Sequence, residues 1–282
     1  MKFLINYIKK IFLYIDFKFG RFFFKNDNNF LINLIGHIQL KKKIIDFKDN
    51  NESINIHNIG FSKIEPFDKK DLEYFSKIIR DYSVKNSEKI RLDIDINENI
   101  IEKINKLLLK NKSLISTLNG YFKSNFLITE INIYRNKYFK KDGDKELINE
   151  NFHCDHYKKT MIKLFINLSE VKNKNGPLEI FNKKNTKKII LNGFRDRNNY
   201  QNAKKILDNN NLKFTNTGLF GDALLCSTTE CLHRASIPYK NFHRDMLAIT
   251  LFKDFSLDFN PIKFKNEING TLAKKLGKLN LG

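Results

Sequence analysis

The sequence contains few cysteines, few arginines and no long apolar run, and each scarcity excludes a class of protein. Three cysteines without paired spacing predict no disulfide framework and indicate a reducing compartment. No run of about 18 uncharged apolar residues occurs, so no membrane-spanning helix is expected. Hydrophobic residues still make up 41% of the 282 residues and aromatic residues 13%, which argues against disorder and allows a substantial core.

The chain carries a formal net charge of +20, yet only eight of its 51 basic residues are arginine. Arginine is the side chain that reads phosphates and base edges bidentately, and no helix-turn-helix, zinc-finger or RNP-like pattern accompanies the charge. We therefore predict no specific nucleic-acid partner. The excess of lysine remains compatible with an anionic substrate or a membrane surface.

Residues 1–25 form a basic amphipathic segment, with polar side chains on broadly one helical stripe and large apolar side chains elsewhere. Such a helix can lie in a membrane interface, or it can dock on the protein's own core. Lys9 and Lys10 interrupt its apolar part and no small-residue cleavage site follows, so it is not expected to be a signal peptide. The predicted location is cytoplasmic, at the inner face of a membrane if the helix is interfacial.

The composition also suggests a division of the chain into three parts. Residues 26–60 are irregular and rich in asparagine and lysine, which predicts a linker with short strands. We expect an N-terminal helix and linker in residues 1–57, a core domain in residues 58–258 and a C-terminal tail in residues 259–282.

Helical periodicity dominates the first half of the predicted domain. Asp68 can cap a helix that starts soon after Pro66. A second helical stretch is predicted from Asn99 to Phe122, with Gly120 as its stop signal.

The pattern then changes to strands. The predicted strands are residues 126–136, 161–171, 177–181, 223–227 and 245–252. Because helices come first and strands follow without regular alternation, we predict a mainly β, antiparallel core with the N-terminal helices packed against it. The polar excursion over residues 182–216 is long enough to cover a site.

The stretch "FHCDHYKK" (Phe152–Lys159) carries the clearest chemical signal. In an extended strand His153 and Asp155 point to the same side, while Cys154 points to the other. One imidazole and one carboxylate are two-thirds of the facial triad that holds non-haem Fe(II). His233, in "TTECLHRAS" directly after a predicted strand, is placed to be the third ligand, and such a site leaves three coordination positions open for oxygen activation.

Two simpler interpretations compete with an iron site. An H-x-D pair occurs by chance, so His153 and His156 could be ordinary surface-loop residues. Three cysteines lie near the motif in sequence (Cys154, Cys226 and Cys231), which raises the alternative of zinc. No C-x-x-C spacing exists and Cys154 should point away from His153, so the sequence favours zinc less than iron.

Four segments of the sequence, taken together and in the order in which they occur, resemble the phytanoyl-CoA dioxygenase-like Fe(II)/2-oxoglutarate oxygenases. They are "FHCDHYKK", "KLFINLSEVKNKNGPLEIF", "GLFGDALLCSTTECLHRAS" and "NFHRDMLAITLF". The resemblance covers roughly residues 58–255. It implies a double-stranded β-helix (a jelly-roll, cupin-like core) with the N-terminal helices packed on one sheet.

The resemblance also implies roles for individual residues. His153, Asp155 and His233 would bind Fe(II). Arg244, eleven residues after the distal histidine, would hold the far carboxylate of 2-oxoglutarate, which suits its bidentate fork. With O2, such a site hydroxylates a substrate and releases succinate and CO2; the substrate expected here is a small molecule or a lipid-linked one.

Further residues near the motif have two interpretations. Asn132 and Tyr134 could help to hold 2-oxoglutarate, and Tyr134 could equally fill the barrel. The sequence permits Lys163 to reach into the barrel or to point to solvent. His156 and Tyr157 could line the substrate entrance.

The chain departs from the resemblance at two places. Many relatives have a serine two positions after the distal histidine, where this chain has Ala235, and Ser236 would face the other way in a strand. Relatives also commonly continue into "P-G-S-H", where this chain reads "FNKKN". The alternative function is therefore a catalytically inactive jelly-roll binding protein, or a peripheral membrane protein organised around residues 1–25.

Overall fold

The structure is a computed structural model that describes residues 47–140, 147–155, 161–194, 204–254 and 262–264, together with Ile8 and Ile11. The amphipathic helix predicted for residues 1–25 therefore lies outside the described residues, except that Ile8 and Ile11 are helical and exposed. None of the helices in the described ranges has the length and apolarity that a bilayer crossing requires.

Four helices form the N-terminal half: α1 (Asn51–Asn58), α2 (Lys69–Lys85), α3 (Glu98–Lys110) and α4 (Lys112–Phe122). Each begins at a side chain whose oxygen accepts a hydrogen bond from a first-turn amide; these caps are Asn50, Asp68, Asn97 and Asn111. Capping satisfies amide groups that have no partner within the helix, so it fixes where each helix starts. The predicted cap at Asp68 is confirmed.

The linker with short strands predicted for residues 26–60 was wrong in its described part, because residues 51–58 form α1. Asn50 and Ser53 make a reciprocal capping box, which starts the helix despite its polar sequence. The Asn50 side-chain amide also donates to Thr117 Oγ1 of α4 at 2.8 Å, which ties α1 to the domain.

The single helical stretch predicted from Asn99 to Phe122 was also wrong. Asn111 leaves the helical conformation (ψ 88°), ends α3 and caps α4 with its side chain. Gly120 does not stop a helix but lies inside α4, where a Cβ would come within 3.0 Å of the Lys48 carbonyl oxygen. The helix ends instead at Lys123, which adopts the left-handed conformation.

The strands are β1 (Phe61–Ile64), β2 (Arg91–Asp93), β3 (Phe126–Lys137), β4 (Met161–Asn167), β5 (Leu178–Phe181), β6 (Lys213–Asn216), β7 (Ala223–Cys226), β8 (His233–Ala235), β9 (His243–Lys253) and β10 (Ile262–Phe264). Two short helices, α5 (Lys183–Leu191) and α6 (Lys204–Leu207), lie between β5 and β6. The large sheet has the order β1-β7-β4-β9-β3-β10 with β2 also on β3, and the small sheet has the order β6-β5-β8. These pairings are antiparallel except for β10 with β3.

Alternation along the strands separates two cores. One face of the large sheet packs on the N-terminal helices through residues that include Ile162, Leu164, Ile166, Leu247 and Ile249. The other face packs against the small sheet through residues that include Phe165, Met246, Ala248, Leu178 and Ile180. Neighbouring residues of β4 and β9 thus point to opposite cores, as the period of two requires. The predicted mainly β core with helices on one sheet is confirmed.

The ends of the predicted domain also contain described structure. Helix α1, which lies in residues 1–57 except for its last residue, packs against α4 and β1. Strand β10, within the predicted tail 259–282, pairs in parallel with the first residues of β3. The three-part division itself stays a prediction.

A turn between the two sheets gives a first test of the fold. Gly176 has φ +69°, and a Cβ there would lie 2.6 Å from the Pro238 nitrogen and closer still to the Ser236 carbonyl oxygen. We expect Gly176→Ala to lower the free energy of unfolding by about 2–4 kcal/mol, from left-handed strain and overpacking. Denaturant unfolding measures this. Lys172→Ala, an exposed change in the same turn, should cost less than about 0.5 kcal/mol, and equal losses for both would contradict the interpretation.

Candidate metal centre

Main-chain hydrogen bonds bring two distant segments together at the candidate site. His153 forms an isolated antiparallel bridge with His233, the first residue of β8, through N–H to O contacts of 3.0 and 2.9 Å. The Asp155 amide donates to the Thr228 carbonyl at 3.0 Å. The backbone alone therefore places the three predicted ligands beside one another.

Hydrogen bonds also fix which imidazole nitrogen faces the site. Nδ1 of His153 lies 2.8 Å from the Asn151 carbonyl oxygen, and Nδ1 of His233 lies 3.0 Å from the Cys231 carbonyl oxygen. A carbonyl oxygen can only accept, so Nδ1 carries the proton in each ring and the Nε2 lone pair is left to bind a cation. Metal-binding histidines commonly have this arrangement.

The three side chains converge on one point. Asp155 Oδ1 lies 3.7 Å from His153 Nε2 and 3.8 Å from His233 Nε2, and the two imidazole centroids are 4.4 Å apart. Ligands at right angles around a metal, each about 2.1 Å from it, are about 3 Å apart, so a contraction of less than about 1 Å would close the site. Within the described ranges this is the only such group of three ligand residues.

The zinc alternative has no support in this geometry. Cys154 points away from its neighbours His153 and Asp155, as predicted, and packs in a separate apolar cluster with Phe152 and Phe181. The ligand group of the described residues contains no thiol. Two imidazoles and one carboxylate on one side of a cation are instead the donor set of non-haem Fe(II) sites.

The electrostatics of the site keep Asp155 ionised. Burial by itself would raise the pKa of Asp155, but the Lys163 ammonium, which is the strongest opposing influence, holds it well below its usual range. Lys163 Nζ lies 2.8 Å from Asp155 Oδ2, the oxygen that does not face the histidines. The carboxylate is therefore available as an anionic ligand without first losing a proton.

Arg244 is the most unusual charge near the site, because it is only 1% exposed. It donates to the Gly176 carbonyl oxygen and shares the cavity wall with Tyr134, while its Nε has no hydrogen-bond partner among the described residues. Burial lowers its pKa, and no carboxylate in the described ranges forms an ion pair with it. A buried cation without an anionic partner is costly, so this environment favours an anionic ligand.

A cavity of about 190 Å³ connects these groups. All six residues predicted for the site line it: His153, Asp155, His233, Arg244, Tyr134 and Asn132. Arg244 thus faces the same space as the His/Asp/His group. The structure brings the six together, while their individual functions stay predictions.

The other predicted positions differ in their relation to the cavity. Ala235 lines it and offers no hydroxyl, whereas Ser236 is not part of the wall. His243, the neighbour of Arg244 for which no site function was predicted, is half-exposed beside Asp245 and lies outside the cavity. His156 and Tyr157 lie outside the described residues.

Sequence reasoning missed part of the cavity wall. Arg91 and Glu130 line it, and the Arg91 guanidinium stacks 4.2 Å from the Tyr134 ring centroid. Nothing in the sequence singled these residues out. Lys163 also lines the cavity, so its side chain points into the barrel and not to solvent. The feature of the sequence that indicated an unusual position was a lysine within the mainly apolar strand β4, "MIKLFIN".

Comparison with known proteins rests on structures, because no family profile matches the sequence and no curated protein matches it. EctD from S. alaskensis, solved with 2-oxoglutarate and 5-hydroxyectoine, is similar with a TM-score of 0.52 and 11% identity, over 75% of this chain and 81% of that one. The non-heme monooxygenase ThoJ in its apo form is similar with a TM-score of 0.50 and 7% identity, over 80% of this chain and 91% of that one. The chain has a jelly-roll core. At such identities the likeness establishes the fold alone.

Removing one predicted ligand tests the metal centre. We expect His153→Ala to weaken binding of Co(II), a spectroscopic substitute for Fe(II), by about 100-fold or more. Loss of a residue that only hydrogen-bonds to a metal ligand already weakens binding by up to about 100-fold, and loss of the ligand itself should cost at least as much. Isothermal titration calorimetry of the metal-free protein measures this. His243→Ala, the same change outside the cavity, should leave the affinity unchanged. Similar affinities for both variants would argue against this metal centre.

Proposed function

We propose that the chain is an Fe(II)/2-oxoglutarate-dependent dioxygenase. The observation that carries the proposal is one cavity that holds both a His/Asp/His group and a buried arginine with no carboxylate partner among the described residues. The first fits a divalent iron and the second fits the far carboxylate of a dicarboxylic cosubstrate. The order of motifs further supports assignment to the phytanoyl-CoA dioxygenase-like group of these enzymes.

The fit of iron is supported by the orientation of the donors. Both Nε2 atoms and Asp155 Oδ1 face one point, and the Nδ1 protons are held by carbonyl oxygens. A facial set of three protein ligands leaves three positions on an octahedral ion for cosubstrate and oxygen. When bound, iron and 2-oxoglutarate would supply oxygen activation and substrate oxidation, with release of succinate and CO2.

The fit of 2-oxoglutarate is supported by the wall around Arg244. The guanidinium has an unused Nε–H, and the Tyr134 hydroxyl lies against it as a second polar group. Charge-assisted hydrogen bonds from a buried guanidinium to a carboxylate are strong and directional. They would orient 2-oxoglutarate with its keto-acid end toward the histidines. Asn132, one inward-facing position further along β3, extends the same polar wall.

We further propose that the substrate is a small polar molecule. The cavity of about 190 Å³ is small, and four charged side chains besides Asp155 line it (Arg91, Glu130, Lys163 and Arg244). A lipid tail would need a mainly apolar wall, whereas these charged side chains favour a polar substrate. The lipid-linked substrate and membrane contact through residues 1–25 therefore receive less support from this cavity.

The alternative is a binding protein that keeps the fold and has lost turnover. Ala235 favours it, because no hydroxyl is available there to support the cosubstrate carboxylate. The enzyme requires both metal and 2-oxoglutarate, whereas the binding protein requires neither for turnover, so absence of their binding or of succinate formation would favour the binding protein.

Succinate release tests the enzymatic proposal. The full chain with Fe(II), ascorbate, 2-oxoglutarate and O2 should form succinate slowly even without substrate, because 2-oxoglutarate oxidation can proceed uncoupled. Chromatographic detection of succinate from labelled 2-oxoglutarate measures it, with metal-free protein as the control. Tight binding of both ligands without succinate above that control would favour the binding protein.

A second test addresses Arg244. Arg244→Met should weaken 2-oxoglutarate binding to the Co(II)-loaded protein by at least about tenfold, the value of one charge-assisted hydrogen bond, while Co(II) affinity is retained. Calorimetry measures the two affinities separately. Arg80→Met, the same loss of charge on an exposed helical position, is the matched control. Equal 2-oxoglutarate affinity in all three proteins would contradict the assigned function of Arg244.

A further inference from the structure

We propose that Lys163 is a positioning residue that restricts Asp155 to a single metal-binding oxygen. The inference rests on the proposed function, since it concerns the metal centre described above. By doing so, Lys163 would keep one more coordination position of the metal open for the cosubstrate and oxygen.

The two oxygens of Asp155 have different surroundings. Oδ1 faces the two Nε2 atoms, at 3.7 and 3.8 Å, whereas Oδ2 lies 2.8 Å from Lys163 Nζ. Both side chains are largely buried, Asp155 at 10% exposure and Lys163 at 19%. A buried ion pair resists rearrangement, because separating it leaves an uncompensated charge. Oδ2 is therefore held away from the point on which the imidazoles converge.

Strand register keeps Lys163 from lying beside Arg244 in the sheet. Lys163 of β4 lies opposite Thr250 of β9, and Arg244 lies six residues earlier on β9. At about 3.3 Å per residue, the backbones of Lys163 and Arg244 are therefore about 20 Å apart along the sheet. Arg244 and Lys163 approach the ligand group from opposite ends of the cavity.

The number of open positions explains why this restriction matters. A carboxylate that binds through both oxygens occupies two of the six positions of an octahedral ion. Two histidines and a two-oxygen Asp155 would therefore occupy four positions and leave two open. A chelating 2-oxoglutarate would then fill both and leave none for oxygen. With Oδ2 bound to Lys163, three positions remain.

The test compares the Lys163→Met and Lys163→Arg variants with the wild-type protein. Calorimetry gives the Co(II) affinity and then the 2-oxoglutarate affinity of the Co(II)-loaded protein, and electron paramagnetic resonance measures binding of nitric oxide, a substitute for O2, to the protein loaded with Fe(II) and 2-oxoglutarate. We expect Lys163→Met to retain both calorimetric affinities, because two open positions still accept a chelating 2-oxoglutarate, but to weaken nitric oxide binding by about 10-fold or more, because no position remains for it. Lys163→Arg keeps the cation and should restore most of the nitric oxide binding.

Lys213→Met is a matched control, because Lys213 forms a 2.9 Å ion pair with Glu179, is only 5% exposed and lies outside the cavity. It should lower stability yet leave both affinities and nitric oxide binding unchanged. A crystal structure of Co(II)-loaded Lys163→Met gives an independent readout, in which both Asp155 oxygens should contact the metal.

The outcomes separate this inference from the proposed function. If wild-type protein binds Fe(II), 2-oxoglutarate and nitric oxide and Lys163→Met binds nitric oxide equally well, the inference is wrong and the function stands. The same holds if Asp155 stays bound through one oxygen in the variant. If wild-type protein binds no metal, both proposals are overturned.

Discussion

The structure depends on one main-chain pairing, the bridge between His153 and His233. These residues are 80 positions apart in sequence and belong to the irregular segment before β4 and to β8 of the small sheet. Their mutual N–H to O bonds fix two imidazoles 4.4 Å apart, and the carbonyls of Asn151 and Cys231 then orient the rings. Because the backbone sets this geometry, the ligand group is assembled before any cation binds, which reduces the ordering cost of binding.

Charge is distributed unevenly around this group. Asp155 faces two imidazoles on its near side and has the Lys163 ammonium on its far side, which compensates its charge. Arg244 is more deeply buried, donates to the neutral Gly176 carbonyl and has no carboxylate partner among the described residues. Burying an unpaired charge costs free energy. Within the described residues, charge is therefore compensated at one end of the cavity and uncompensated at the other.

The errors in predicting the helices share one physical cause. Apolar periodicity located α2, α3 and α4. It does not detect a short polar helix such as α1, or the point at which one helix ends and the next begins within a continuous apolar pattern. Asn50 and Asn111 decide both cases through side-chain hydrogen bonds to first-turn amides, Ser53 N at 2.8 Å and Leu114 N at 2.8 Å. Asparagine is common throughout this chain, so its capping positions cannot be distinguished by residue type alone.

The sequence by itself determined the alternation of the strands and the spacing of His153 and Asp155, because a period of two is a local property of extended backbone. It also determined which residue types were available as ligands. Only the tertiary structure decided the protonated nitrogen of each imidazole, the separate partners of the Asp155 oxygens and the lack of a carboxylate ion pair to Arg244 among the described residues. Those properties depend on contacts between segments far apart in the chain, such as β3, β4 and β9, whose register no local pattern specifies.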